Sequence, residues 1–202
     1  MGLSRSGRLA ALSNFRDPAQ RGKEGRSRGL LTADFLRETG PVRPSLEGIA
    51  RRRTDYRSFN LLAGTPRDIF FYSSREDRIR SLPPGIYGLS NHLLDTPWPK
   101  VVRGKECLSK LLEKGGKLPV SDLFALLADS SRAPDHLLPD TGVGLEWERV
   151  LSSTFIVSPT YGTRSSTVLL IDRNASATFI ERTFRGSPGR WSEVSHEFLL
   201  ES

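Results

Sequence analysis

The sequence predicts an α+β layered domain of antiparallel sheets, and three observations predict it. Runs of apolar and β-branched residues bounded by turn chemistry fall into two groups, one in the first half of the chain and one in the final third. Between them lie two stretches with helical spacing. No internal repeat or low-complexity segment interrupts this order, and 202 residues with 37% hydrophobic and 26% charged content suit one globular domain spanning 1–202.

Residues 9–15 read as a strand that enters a polar, Gly-rich loop ending near Arg28. Ser27 is placed to cap a helix through Leu30, Leu31, Phe35 and Leu36, with Thr39-Gly40-Pro41 as its stop. Ser45 is placed to start a second helix through Leu46 and Ile49 to Arg53. Stretches 56–63, 68–74 and 86–89 read as strands of an antiparallel meander, separated by Gly64-Thr65-Pro66 and Pro83-Pro84-Gly85.

Asp95 or Thr96 is expected to cap the next helix, with Pro97 in its first turn. Val101, Leu108, Leu111 and Leu112 form its apolar stripe until Gly115-Gly116 ends it. A second helix follows over 121–129 and packs with the first, and 131–145 is polar, with the Pro and Gly content of a surface loop. Four antiparallel strands are expected last, at 152–158, 167–172, 177–184 and 192–200, parted by Tyr161-Gly162, Arg173-Asn174 and Gly186-Ser187-Pro188-Gly189.

The formal net charge of +7 is unevenly spread: residues 1–57 hold 13 basic and 6 acidic side chains, while 58–202 hold 17 of each. A basic segment can serve nucleic acid or an anionic membrane. The run 16–28 lacks the interleaved aromatics that stack on bases, so a solvated loop is expected and no nucleic-acid partner. No apolar run reaches the roughly 18 residues of a membrane span, and the first dozen or so residues lack a signal-peptide centre. One cysteine, Cys107, excludes an internal disulfide framework, and a cytoplasmic location is the expectation.

Cys107 falls in the middle of the helix expected over 98–114, where a lone cysteine is ordinarily a small buried hydrophobe, with no histidine at helical spacing. His92, His136 and His196 are scattered without metal-ligand spacing, so neither a metal nor a cofactor is expected. Trp98, within Thr96-Pro97-Trp98-Pro99, reads as a hydrophobic anchor at a helix entry.

Five blocks carry a resemblance. They are Gly7-Arg8-Leu9-Ala10-Ala11-Leu12-Ser13-Asn14-Phe15-Arg16-Asp17-Pro18; Ser27-Arg28-Gly29-Leu30-Leu31; Phe59-Asn60-Leu61-Leu62; Tyr87-Gly88-Leu89-Ser90-Asn91-His92-Leu93-Leu94-Asp95-Thr96-Pro97-Trp98-Pro99-Lys100; and Tyr161-Gly162-Thr163-Arg164-Ser165-Ser166-Thr167. In this order they resemble the transport and Golgi organisation 2 family, also called the NRDE family, over nearly the whole chain. Members of that family begin with Met-Cys and a strand, then carry the Asn-Arg-Asp-Glu motif, then a Gly-Gly-Thr-Trp-Leu-Gly segment. Met1-Gly2-Leu3 stands where that last segment ends, so the resemblance implies a member without the first strands and the cysteine, and with an exposed sheet edge.

The resemblance further implies a fold like that of the N-terminal nucleophile hydrolases, an αββα sandwich. There a thiol on residue one attacks a carbonyl while the chain's own amino group, with a pKa of about 8, acts as base. Asn14 and Asn91 would supply oxyanion or polar ligand contacts, and Arg164 would be the pocket arginine. Without the resemblance, each asparagine reads as an Asx turn closing a strand, and Arg164 as one half of a surface salt bridge.

Two functions are implied. The first is non-enzymatic handling of haem or an acyl-coenzyme A-type ligand, given the family's links to Golgi organisation, haem trafficking and lipid metabolism. The second is a carbon-nitrogen amidohydrolase, whose nucleophile Met1-Gly2 does not provide. A histidine beside Asn91 could approach haem iron, although a solvent-facing loop residue is the simpler reading of His92.

Overall fold

Alternating apolar residues along β3 (Phe59–Gly64) and β4 (Ile69–Ser73) form the middle of a sheet in the computed structural model, which describes residues 1–20, 22, 24–185 and 189–201. Five α-helices and two antiparallel sheets make an α+β fold among the described residues. The chain divides into two compact units, residues 1–96 joined by 200–201, and residues 97–199.

The first unit carries the sheet β1-β2-β3-β4-β5, with β1 at Gly2–Leu3, β2 at Leu9–Asn14 and β5 at Arg78–Leu82. Its register sorts residues by face. Leu12, Leu61, Tyr72 and Ile79 pair across one face, and Ser13, Asn60, Ser73 and Arg78 across the other. On the apolar face lie α1 (Gly29–Arg37) and α2 (Val42–Arg51), which bury Leu31, Phe35, Leu46 and Ile49 against Phe59, Leu61 and Tyr72. Full burial of each such side chain contributes about 1.5–3 kcal/mol.

Arg8 locks this layer although it is charged. Its side chain is buried, with the guanidinium 4.1 Å from the Phe35 ring centroid, Nε donating to the Phe35 carbonyl at 2.9 Å and Nη1 to the Gly40 carbonyl at 2.9 Å. Nη2 donates to Ser45 Oγ at 3.0 Å.

The second unit holds α3 (Pro99–Glu113), α4 (Val120–Leu127), α5 (Leu145–Leu151) and the sheet β6-β7-β8, at Ser165–Ile171, Ser176–Phe184 and Trp191–Leu199. Phe124 of α4 meets Val168 and Ile180 of the sheet, and Phe155 meets Phe184 edge-on at 4.7 Å.

Several expectations are corrected. Residues 86–89 form no strand; the meander's third strand is β5, whose Arg-Ile-Arg-Ser-Leu composition hid it. The stretch 152–158 is not a strand either: α5 begins at the end of the expected loop and runs to Leu151, and beyond it only Val157 bridges Gly162, leaving three strands in the final sheet among the described residues. Ser27 and Ser45 are not side-chain caps: α1 follows Arg28, and α2 starts at Val42 behind Pro41. Likewise α3 begins at Pro99 with Trp98 before it, because Asp95 and Thr96 bond within the preceding loop. Cys107 is exposed, lying roughly 120° around the helix from buried Val101. Trp98 is buried, as an anchor should be. The turn expected at Gly186-Ser187-Pro188-Gly189 lies outside the described residues except for its last member.

Candidate functional site

The polar row Ser13, Asn60 and Ser73 is anomalous for a sheet face, because Asn60 and Ser73 are fully buried. Its explanation is the loop 88–95. That loop is pinched at its base by a reciprocal pair: Gly88 N–H donates to Asp95 Oδ1 and Asp95 N–H to the Gly88 carbonyl, both at 2.8 Å. Asp95 closes it with φ of 58°, a left-handed conformation that aspartate tolerates better than most residues.

The closed loop turns its carbonyls toward the sheet. Ser13 Oγ donates to the Ser90 carbonyl at 2.7 Å, and Asn60 Nδ2 donates to the His92 carbonyl at 2.8 Å. Asn91 then joins the end of β2 twice, as Nδ2 donates to the Asn14 carbonyl at 3.0 Å and its own carbonyl accepts Arg16 N–H at 2.6 Å. The structure therefore brings Asn14 and Asn91 together. The exposed Asn14 amide makes no hydrogen bond among the described residues, so it is available at this strand end.

His92 is not solvent-facing. Its ring lies 4.9 Å from that of Phe15, and Nδ1 meets Thr96 Oγ1 at 2.9 Å. Thr96 Oγ1 donates to the Leu93 carbonyl at 2.8 Å, so Nδ1 is the donor in that pair. Burial first, and the Arg16 cation second, hold the imidazole below its ordinary pKa, with Glu76 opposing them. Two buried atoms of this cluster, Asn60 Oδ1 and Ser90 Oγ, have no hydrogen-bond partner among the described residues.

Phe15 and Asp17 continue the network. Phe15 N–H donates to the Ser58 carbonyl at 3.1 Å, Arg75 lies 5.6 Å from the Phe15 ring, and Arg75 Nη1 reaches Asp17 Oδ2 at 3.3 Å. Ser58 and Arg75 in turn line a cleft of about 330 Å³ together with Gln20, Glu24, Arg53, Thr54, Tyr56, Arg57 and Ser74.

Arg164 belongs to the second unit. It precedes β6, its carbonyl accepts Phe184 N–H at 2.9 Å, and its exposed side chain makes no ion pair among the described residues. The surface salt bridge expected of it is absent there. No three His, Cys, Asp or Glu side chains gather among the described residues, and none of the described helices is long and apolar enough to cross a membrane.

Asn60 and Ser13 escaped sequence reasoning as site residues. A polar side chain within the apolar run Phe59-Asn60-Leu61-Leu62 was the available signal.

Comparison with known proteins agrees with the blocks on which this loop and strand are built. The family model for Transport and Golgi organisation 2 matches residues 1–186. A cattle protein named Transport and Golgi organization protein 2 homolog is 37% identical over all of this chain and 78% of its own length. The human protein of that name is 34% identical with the same coverage. The fruit fly Transport and Golgi organization protein 2 is 27% identical over 94% of this chain and 73% of its own. This chain belongs to the Transport and Golgi organisation 2 family.

Proposed function

We propose that the chain handles an acyl-coenzyme A-type ligand or haem without chemically transforming it. Asn14 contacts the ligand at the end of β2, on an edge that Asn91 holds in place, and Arg164, taken by itself on the other unit, is a contact for an anionic group. One observation carries the reading. The Asn91 amide nitrogen is spent on the Asn14 carbonyl and the Ser13 hydroxyl on the Ser90 carbonyl, so these groups brace a loop and leave only the outer Asn14 amide to meet a partner. Such bracing supports a rigid contact surface more than an activated nucleophile, which needs a hydroxyl or thiol bonded to a base.

The test is calorimetric titration with a long-chain acyl-coenzyme A and with haem. Saturable binding of either, weakened in Asn14→Asp and Arg164→Ser, is expected. Flat titrations with both ligands overturn the reading, and so does hydrolysis of either an acyl amide or the thioester.

A further inference from the structure

The cleft beside Phe15 is built from like charges. Arg53, Arg57 and Arg75 line it, against one acidic group, Glu24. Arg26 sits 5.6 Å from the ring of Tyr56, and Arg28 Nη1 donates to the Ser58 carbonyl at 3.0 Å, so two further guanidinium groups stand on its lining residues. Burial and then the neighbouring Arg57 cation both disfavour the charge on Arg28. Crowded cations of this kind are relieved by an anion.

The carboxylates present do not neutralise the cluster. Arg53 Nη2 meets Asp77 Oδ2 at 3.2 Å and Arg75 Nη1 meets Asp17 Oδ2 at 3.3 Å, each through one nitrogen, which leaves other N–H donors on both forks. Arg57 is exposed and makes no ion pair among the described residues. The hydroxyl of Tyr56, a lining residue only 6% exposed, is buried without a hydrogen-bond partner among the described residues.

The walls are held in place. Gln20 and Ser58 bond reciprocally, Nε2 to Oγ at 2.8 Å and Ser58 N–H to Oε1 at 2.7 Å, fixing the 3₁₀ turn Pro18–Gln20 to the start of β3. Ser74 Oγ, also in the lining, accepts Phe59 N–H at 2.9 Å. A planar carboxylate offers two oxygens, whereas a phosphate offers three or four in a tetrahedral array and up to two charges. Donors converging from three arginines match the second shape.

We propose that this cleft binds the phosphate group of a small phosphorylated ligand, with Arg53, Arg57 and Arg75 as the anion contacts. The inference deepens the ligand-handling reading, on which its biological meaning rests, by making phosphate the recognised head group. A metal-ligating role is a poor fit, because a single lining carboxylate, Glu24, faces three guanidinium cations that would repel a metal ion.

The experiment uses the full chain and inorganic pyrophosphate as probe, with binding followed by calorimetry. Arg57→Ser is the principal variant, since its exposed side chain makes no hydrogen bond or ion pair among the described residues, and Arg173→Ser, an exposed arginine of the other unit, is the control. Loss of affinity by roughly tenfold or more in Arg57→Ser, with the control unchanged, is expected. Equal loss in both variants, or no saturable binding by the parent chain, overturns the proposal. Acyl-coenzyme A serves as the second titrant: binding that is insensitive to Arg57→Ser overturns the phosphate site while the ligand-handling reading stands. Pyrophosphate binding that Arg57→Ser abolishes, beside flat acyl-coenzyme A and haem titrations, supports the site and removes that reading.

Discussion

Asn60 reaches from the second position of β3 to donate an amide hydrogen to the His92 carbonyl, 2.8 Å away, and so fastens a loop 32 residues downstream to the polar face of the sheet. It also donates to Ser13 Oγ at 3.3 Å, which itself holds the Ser90 carbonyl. Replacing Asn60 by Ala strands a buried carbonyl and a hydroxyl at once. The expected loss is about 1–3 kcal/mol in urea unfolding, with faster amide exchange confined to residues 88–95. Exchange that rises uniformly over the sheet would contradict a loop-fastening role.

That pair also shows where the sequence was legible. Ala10 with Leu12 and Phe59 with Leu61 announce strands by alternation, and the helices α1 to α4 announce themselves by apolar spacing, because burial of one face imposes those periods. The edge strand β5 was missed because Arg78 and Arg80 interrupt any apolar alternation, and α5 because it is only seven residues long. The family blocks singled out Asn14 and Asn91, but not the hydrogen bond that joins them. The arginine cleft joins residues from Gln20 to Arg75, and no local pattern records such a gathering.

Asp95 closes the loop in a left-handed conformation while its carboxylate takes the Gly88 N–H. Asp95→Ala loses that bond and keeps the backbone conformation that β-carbons resist, so destabilisation of about 1–2 kcal/mol is expected. Asp95→Gly loses the same bond yet relieves the φ requirement. It should therefore be the milder of the two in thermal melts, and the reverse order would count against strain at this residue.

Gly64 allows the β3 to β4 turn to close. A β-carbon there would lie 2.1 Å from the Asp68 carbonyl oxygen and 2.9 Å from Ile69 Cα, and both obstacles are backbone. Gly64→Ala must push the turn open, breaking the Thr65 to Asp68 pair of hydrogen bonds. A loss of about 1–3 kcal/mol in chemical unfolding is expected, and an unchanged midpoint would show that the turn yields freely.

Arg182 ties α4 to the second sheet without being deeply buried. Its guanidinium lies 3.9 Å from the Phe124 ring and 4.6 Å from the Trp191 ring, and Nε donates to Glu193 Oε2 at 2.7 Å. Arg182→Gln keeps the aliphatic stem and removes the charge, so a loss of about 1–2 kcal/mol is expected from the two ring contacts. Trp191 fluorescence should shift as the cation leaves its ring. Glu193→Gln, which spares both rings, should have the smaller effect, since an exposed ion pair contributes about 0–1 kcal/mol.

His92 gives the pH dependence its sign. The folded chain holds this imidazole below its ordinary value of 6.5, through burial first and Arg16 second, while Glu76 pulls the other way and Thr96 and Phe15 are neutral contacts. As pH falls through 6.5, the unfolded chain takes up its proton before the folded chain does, so stability is lost progressively until the folded value is passed. Above that range His92 is neutral in both states and contributes no slope. His92→Gln should flatten the decline in urea midpoint over this acidic interval relative to the parent chain, while leaving the two curves parallel above neutrality. Parallel curves throughout would mean that the proton enters His92 without disturbing the loop, and that its partners, Thr96 and Phe15, do not resist the imidazolium.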